Sequence, residues 1–567
     1  MNVIKFCRGA SAARVGRRAG SAAGLFLLGL GVAHAGIDIS PDRGALMRGH
    51  RGGTLRLSSY QPSGTIDPQI NYESDFWQIF AVTQDGLVTF AKAEDQPGMT
   101  VVPDLADALP TITDGGLTYR FHLRPGLRFS TGQTIGVEDV LASFRRMFKV
   151  SGPNVGSWYN ILVGADACLA TPATCTLAGG VQGDAATGMI TLHLTRPDAE
   201  FSQKLALPFA SILPAGTPPA DLGTTPPAAT GPYMIASYNP VRAMVLVRNP
   251  YFHQWSEAAQ PDGFVDSITI RYGLMNEAEI TAIENGSLDW TSDPAPLDRL
   301  AEIGARFTSL AHIHPLLAYY YLMMNTRIPP FTDARARRAV AFAINRRLVV
   351  NLYGGPALGT PICQLLPQGI AGHVAYCPFT LNPGASWSAP DLAQARALVK
   401  ASGTAGQKVT IVSSDRDIER AIAIYLQSVL NDIGYQASIH SISFNIRDTY
   451  LQNSSNRVQI GLTDWYQDYP SPSDFLNVLL SCASFHPGSD ASINMSAFCD
   501  PGIDARMQQA MQTQSAADWA GIDHDLTDLA PLTTLFQIHR LDVVSARLGH
   551  FRFSPLVHMI FSEVWVQ

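Results

Sequence analysis

Beyond its first 35 residues the chain has no apolar run long enough to cross a bilayer, which takes about 20 residues. Positive charge is scarce as well: 40 Lys and Arg stand against 47 Asp and Glu, a formal net charge of −7. The basic stripe that tracks nucleic acid is missing, so no nucleic-acid partner is expected. The seven cysteines include no Cys-x-x-Cys and no tight Cys/His cluster, which argues against a bound metal. The fourteen histidines are scattered, with no pair at i, i+4. A Gly-x-Ser-x-Gly elbow, a His-Glu-x-x-His motif and a glycine-rich phosphate loop are all absent. These absences count against an enzyme and a cofactor. A secreted hydrolase, which would need its nucleophile and base brought together from distant positions, is kept only as a remote alternative.

What is present first fixes the compartment. Lys5, Arg8, Arg14, Arg17 and Arg18 precede a short apolar centre at Leu25–Leu30, and Ala33-His34-Ala35 has the small-x-small pattern of a cleavage site. This predicts a secretory signal peptide over 1–35 and export to the periplasm or an equivalent space. Arg17-Arg18 is only a weak hint of twin-arginine export. Without the leader, 35 basic residues face 47 acidic ones. Residues 36–53 are polar and glycine-containing and are expected to form a loosely held N-terminal extension. Six cysteines remain: Cys168, Cys175, Cys363, Cys377, Cys482 and Cys499. An even number in an exported chain points to disulfides. Their grouping into three local couples suggests Cys168–Cys175, Cys363–Cys377 and Cys482–Cys499.

Strands and helices alternate. Residues 54–57 and 117–123 have the period-two pattern of strands, the second bounded by Asp114-Gly115-Gly116 and Pro125-Gly126. Leu141, Phe144 and Phe148 share one face of a helix over 137–150. Residues 176–196 form a hairpin pattern, and 233–235, 244–247 and 268–272 read as strands. Residues 277–285 read as a helix closed by Gly286. A strand at 408–412, an amphipathic helix at 418–433 stopped by Gly434, and a strand at 435–439 make a βαβ unit whose strands should be parallel. Another helix covers 391–402. One more starts after Phe331-Thr332-Asp333 and runs towards Leu352, with Arg335, Arg337, Arg338, Arg346 and Arg347 expected on a solvated face with acidic partners. An apolar run, 458–462, leads into a turn made of Thr463-Asp464-Trp465-Tyr466-Gln467-Asp468-Tyr469-Pro470-Ser471-Pro472. Aromatic and acidic side chains together suit recognition of a small cation such as an amino group.

The order of these motifs resembles one family. Pro103-Asp104-Leu105-Ala106, then 114–124, Gly126, Phe129, Gly132 and Glu138-Asp139-Val140, are similar to the signature of extracytoplasmic solute-binding proteins of the oligopeptide/dipeptide-binding class (family 5), which feed ABC importers. Thr230-Gly231-Pro232-Tyr233, Asn249-Pro250-Tyr251, Gly286-Ser287-Leu288-Asp289, and Asn325 with 330–333 and Arg338-Ala339 continue the match. Val137 departs from it, standing where the family has a small residue.

The resemblance implies an α/β fold of two lobes joined by a hinge, the larger carrying an extra subdomain. The expected boundaries are 54–319 with 536–567 for lobe I (subdomain about 76–228) and 320–535 for lobe II, with crossings near Tyr319–Tyr321 and 532–538. It also implies a monomer, a non-enzyme without cofactor, that takes a peptide-like solute in the interlobe cleft and passes it to permease subunits in the inner membrane. The fold alone leaves a nickel complex, haem, a sugar, an opine or an antibiotic as alternative ligands. In peptide-binding members a Trp three residues before an Asp lines the cleft, and that Asp meets the ligand's ammonium. Trp465 and Asp468 match that spacing, and the backbone carbonyls of Asp464 and Tyr466 are placed to accept bonds from an extended ligand. Asp468 as a turn-capping carboxylate is the alternative. Leu462 stands where oligopeptide-binding relatives carry an Arg for a ligand carboxylate, so no length preference carries over. Cys482–Cys499, just past this segment, would either hold the cleft wall in place or simply staple a loop.

Overall fold

The computed structural model describes residues 43–60, 64–152 and 154–567. The signal-peptide reading falls outside them. The chain forms two compact units, Met1–Leu46 and Met47–Gln567, and the fold below belongs to the second. Where an irregular extension was expected, Arg43–His50 is helical.

Two sheet systems make the two lobes. One lobe holds a five-stranded sheet in which Thr54–Ser59 lies parallel to both Ser267–Tyr272 and Trp290–Thr291. It also holds a four-stranded antiparallel sheet containing Thr118–His122 and the hairpin Val181–Asp184/Met189–His193. The other lobe is built on six strands in the order Gly359–Pro361, Leu532–Val543, Ala311–Met324, Ile460–Tyr466, Lys408–Ser414, Gln436–Ile442. The βαβ unit forms as its pattern requires: Lys408 pairs with Gln436 in parallel register, and Ile422, Leu426, Leu430 and Ile433 of the crossover are buried. Each such side chain contributes about 1.5–3 kcal/mol by leaving water. Gly434 ends that helix at a φ of 111°, which a residue with a Cβ rarely adopts. The three cysteine couples are joined as disulfides, 168–175, 363–377 and 482–499.

Two local expectations are corrected. The helix after Asp333 is two helices, Ala334–Ala343 and Arg346–Tyr353. Asn345 breaks it, because its side chain accepts the N–H of Leu348 and so caps a new start. Its arginines are not all on a solvated face either. Arg337 donates to the carbonyls of Phe331 and Leu529, and Arg346, 1% exposed, donates to that of Thr534. They satisfy carbonyls left over at helix and strand ends. Only Arg335 has the acidic partner expected, Asp333 at 2.6 Å.

The second correction concerns the run 458–462. The strand spans Ile460–Tyr466, so Thr463 to Tyr466 belong to it and the turn begins at Gln467. Antiparallel pairing with Ala311–Met324 extends it, matching Tyr320 to Asp464 and Ala318 to Tyr466.

Candidate functional site

The period of two in the strand Ile460–Tyr466 decides where its side chains go. Trp465 packs with Tyr319, Tyr321 and Phe475 on one face of the sheet. Asp464 and Tyr466 face the other. These sequence neighbours cannot line one wall. The same alternation orders the backbone. Gln467 donates to the Leu317 carbonyl at 3.0 Å, so the peptide groups of Thr463 and Trp465 point at the neighbouring strand. Those of Asp464 and Tyr466 point to the opposite edge, which Lys408–Ser414 covers only at Ile460 and Gly461.

Asp464 is held by Arg447 at 2.6 Å. Arg447 is 2% exposed and also binds Glu419 at 2.7 Å and Asp448 at 2.9 Å. Helix Phe444–Gln452 supplies the guanidinium, and helix Asp417–Asp432 supplies Glu419. Burial pushes the Asp464 carboxyl up, while the guanidinium beside it pulls it down. This carboxylate already has its counter-charge.

Asp468 lies beyond the strand, is 7% exposed, and has no such cation among the described residues. Its Oδ2 accepts from the Tyr72 hydroxyl of the other lobe, and its N–H donates to Asp474 Oδ2 at 3.0 Å. Burial raises its pKa to about 7, against the hydrogen bonds from Tyr72 and Asp474. Asp474 is pushed well above the carboxylate range, by burial first and by the Asp468 charge second. Two carboxyls this close do not both ionise freely, and each raises the cost of charging the other. The Trp465 indole interacts with the Asp474 carboxyl and pulls its pKa down against burial.

The turn after Asp468 is clamped by the extra-subdomain side of the other lobe. Ser471 and Ser473 hydroxyls both donate to the fully buried Glu200 carboxylate. Tyr469 packs edge-on against Trp158 at 5.8 Å, with Lys204 5.6 Å from its ring. Gln467 donates to the Pro555 carbonyl at 3.1 Å. Asp468 thus sits where both lobes meet, at the edge of a cavity that also touches Trp77, Phe90 and Lys92. The disulfide Cys482–Cys499 anchors the loop that follows helix Pro472–Leu480, and the Cys482 N–H donates to Asp504.

Tyr72, Glu200, Asp474 and Lys92 were not singled out from sequence. Only Asp474 left a signal there, an acid inside the turn's own neighbourhood. Among the described residues no three His, Cys, Asp or Glu side chains are grouped to hold a metal ion, and no helix is long and apolar enough to cross a membrane.

This two-lobed α/β architecture, with a buried carboxyl where the lobes meet, is shared with solute-binding proteins. Residues 100–486 match the family of bacterial extracellular solute-binding proteins, family 5 (middle region), and the chain belongs to that family. A probable di/tripeptide-binding protein 5 of Pseudomonas aeruginosa (strain UCBPP-PA14) is 24% identical over 506 residues, covering 82% of this chain and 88% of that one. Among solved structures, clavulanic acid biosynthesis oligopeptide binding protein 2 superposes with a TM-score of 0.81 at 22% identity, over 91% of this chain and 96% of that one. The ABC transporter-associated periplasmic binding protein DppA from Helicobacter pylori, in complex with peptide STSA, gives 0.76 at 18% identity, over 92% and 99%.

Proposed function

We propose that the protein is an extracytoplasmic receptor that captures a peptide-like solute between its lobes and hands it to an ABC permease, making and breaking no bond. The observation that carries this reading is Asp468, a buried carboxylate at the junction of the lobes with no cation of its own. A ligand ammonium supplies the missing charge, and two opposite charges removed from water together cost far less than either alone. The outward edge of Ile460–Tyr466 offers the peptide groups of Asp464 and Tyr466 to an extended ligand backbone, as in strand addition. Trp465 supports this edge from behind through core packing, and Tyr466, 38% exposed, stands beside it. The di/tripeptide-binding and peptide-complexed relatives favour the same ligand class.

Opening and closing would turn on the two long strands Ala311–Met324 and Leu532–Val543. Their pairing is interrupted between Pro315 and Tyr319, and we place the lobe boundary there, a few residues before Tyr319–Tyr321. The protein acts as a monomer in the periplasm. Asp468→Asn should weaken binding of ligands with a free amino terminus by about 2–5 kcal/mol. Calorimetry with a peptide mixture recovered from the protein as purified from its own host tests it. Unchanged affinity would remove Asp468 from the ligand site.

A further inference from the structure

We infer that Glu200 is the latch of lobe closure, a positioning residue that holds the two lobes together through Ser471 and Ser473 without touching the solute. This goes beyond the reading of Asp468 and needs only that the lobes move. Ser471 and Ser473 belong to the six-stranded lobe, and Glu200, 271 and 273 positions away, lies on the extra-subdomain side of the other. The contact is closed to water: Glu200 and Ser473 are 0% exposed and Ser471 2%. Tyr469, from the same turn, sits in the apolar core that Tyr119, Trp158, Tyr159 and Phe201 form in that subdomain. Among the described residues it is the one buried member of that core that the six-stranded lobe contributes. The turn is a plug of one lobe seated in the other.

Ser471 shows what the turn gives up for this contact. It occupies the N-cap of helix Pro472–Leu480, where a serine hydroxyl usually accepts an N–H of the first turn. Here it caps nothing and donates to Glu200 Oε1 instead. Ser473, in the first turn, donates to Oε2. The carboxylate therefore faces the helix N-terminus, whose dipole favours an anion. Its own lobe holds it in readiness. Lys204 is 3.7 Å from Oε2 but bonds more closely to Asp198, at 2.6 Å, and Asp198 accepts the Glu200 N–H at 2.9 Å. Burial pushes the Glu200 carboxyl up, Lys204 and the two serines pull it down, and Asp198 opposes them. One ammonium is shared by two carboxylates, so the serine hydroxyls supply what the Glu200 oxygens lack. When the lobes part, Glu200 and both hydroxyls exchange each other for water, and Tyr469 leaves its apolar seat. The same turn adds the bond from Tyr72 to Asp468 and that from Gln467 to the Pro555 carbonyl. The clasp favours closure before any solute arrives.

The test is small-angle X-ray scattering on the protein stripped of solute by unfolding in guanidinium chloride and refolding with its disulfides intact. Wild type is compared with Glu200→Ala, Glu200→Gln, the pair Ser471→Ala with Ser473→Ala, and the triple alanine variant, each checked by thermal unfolding. Wild type should scatter as the closed two-lobed form. Glu200→Ala and the serine pair should each raise the ratio of open to closed molecules at least tenfold. The triple variant should open no further than Glu200→Ala, because both sets of substitutions remove the same contact. Glu200→Gln, whose amide oxygen still accepts one hydroxyl, should fall between. A wild type that is open without solute would overturn the latch, and variants that stay closed would leave Glu200 to subdomain packing. Additive opening in the triple variant would overturn it too, since Glu200 and the serines would then act separately. If Glu200→Ala does not fold, the serine pair decides, because it leaves Asp198 and Lys204 untouched. No solute is present, so failure here leaves the assignment of Asp468 standing, and loss of that assignment leaves the latch.

Discussion

Asp464 and Asp468 stand four residues apart and are both shielded from water, yet their settings are opposite. Asp464 has the Arg447 guanidinium at 2.6 Å, and that guanidinium also joins Glu419 and Asp448. Asp468 has a tyrosine hydroxyl and a second carboxyl. The first arrangement is complete without a ligand and ties two helices to a strand. The second is incomplete: burial lifts Asp468 to about 7, and nothing positive brings it down. A carboxylate that already has its cation is part of the scaffold, and one that lacks it is the natural place to test for a bound cation.

That contrast can be broken at either residue. The largest effect should come from Arg447→Met, which strands the Glu419 and Asp464 carboxylates in the interior. It should cost about 3–5 kcal/mol in urea unfolding, whereas Asp468→Asn should leave stability unchanged or higher. The next is pH. Asp468 titrates near 7 when folded and near the ordinary carboxylate value when unfolded, so the folded state holds the extra proton. Its contribution to stability is complete below the unfolded value and is lost as pH rises towards about 7. Ligand affinity runs the other way, because an ammonium needs the ionised form. It should rise by up to about tenfold per pH unit below about 7 and level off above it. Asp468→Asn should flatten both profiles, and a wild-type affinity that ignores pH between 5 and 7 would refute the shift. Tyr72→Phe removes one hydrogen bond to the charged acid and should weaken binding by about 1 kcal/mol, with the midpoint of the affinity profile moving up. Asp474→Asn should be smallest, within about 0.5 kcal/mol at pH 7, since burial and the Asp468 charge already push Asp474 towards its neutral form and the amide oxygen can still accept the Asp468 N–H. A large loss there would mean that Asp474, not Asp468, carries the charge.

Much of the scaffold was legible because it is local. The crossover helix 417–432, its glycine stop and the flanking parallel strands follow from spacing within about 35 residues. The three disulfides close short loops, so proximity in sequence was enough to pair them. The family signature added the two lobes. The strand 460–466 was read four residues too short, because polar Thr463 and Asp464 hide a segment whose pairing with 318–324 holds it extended. Arg337 and Arg346 were placed in solvent on charge alone. Their partners are main-chain carbonyls that no side-chain pattern displays.

The sequence by itself determined the class of protein and the pairing of its cysteines. It also named Asp468 and Trp465 as a pair. Only the tertiary structure gave them their partners, Tyr319, Tyr321, Phe475 and Asp474 around Trp465, and Tyr72 of the other lobe with Asp474 around Asp468. Tyr72 reaches Asp468 across 396 positions, and Glu200 reaches Ser471 across 271. Burial is the physical reason that these contacts matter. A carboxylate acquires its shifted pKa and its need for a cation from the groups that surround it in space, and for Asp468 nearly all of those come from elsewhere in the chain.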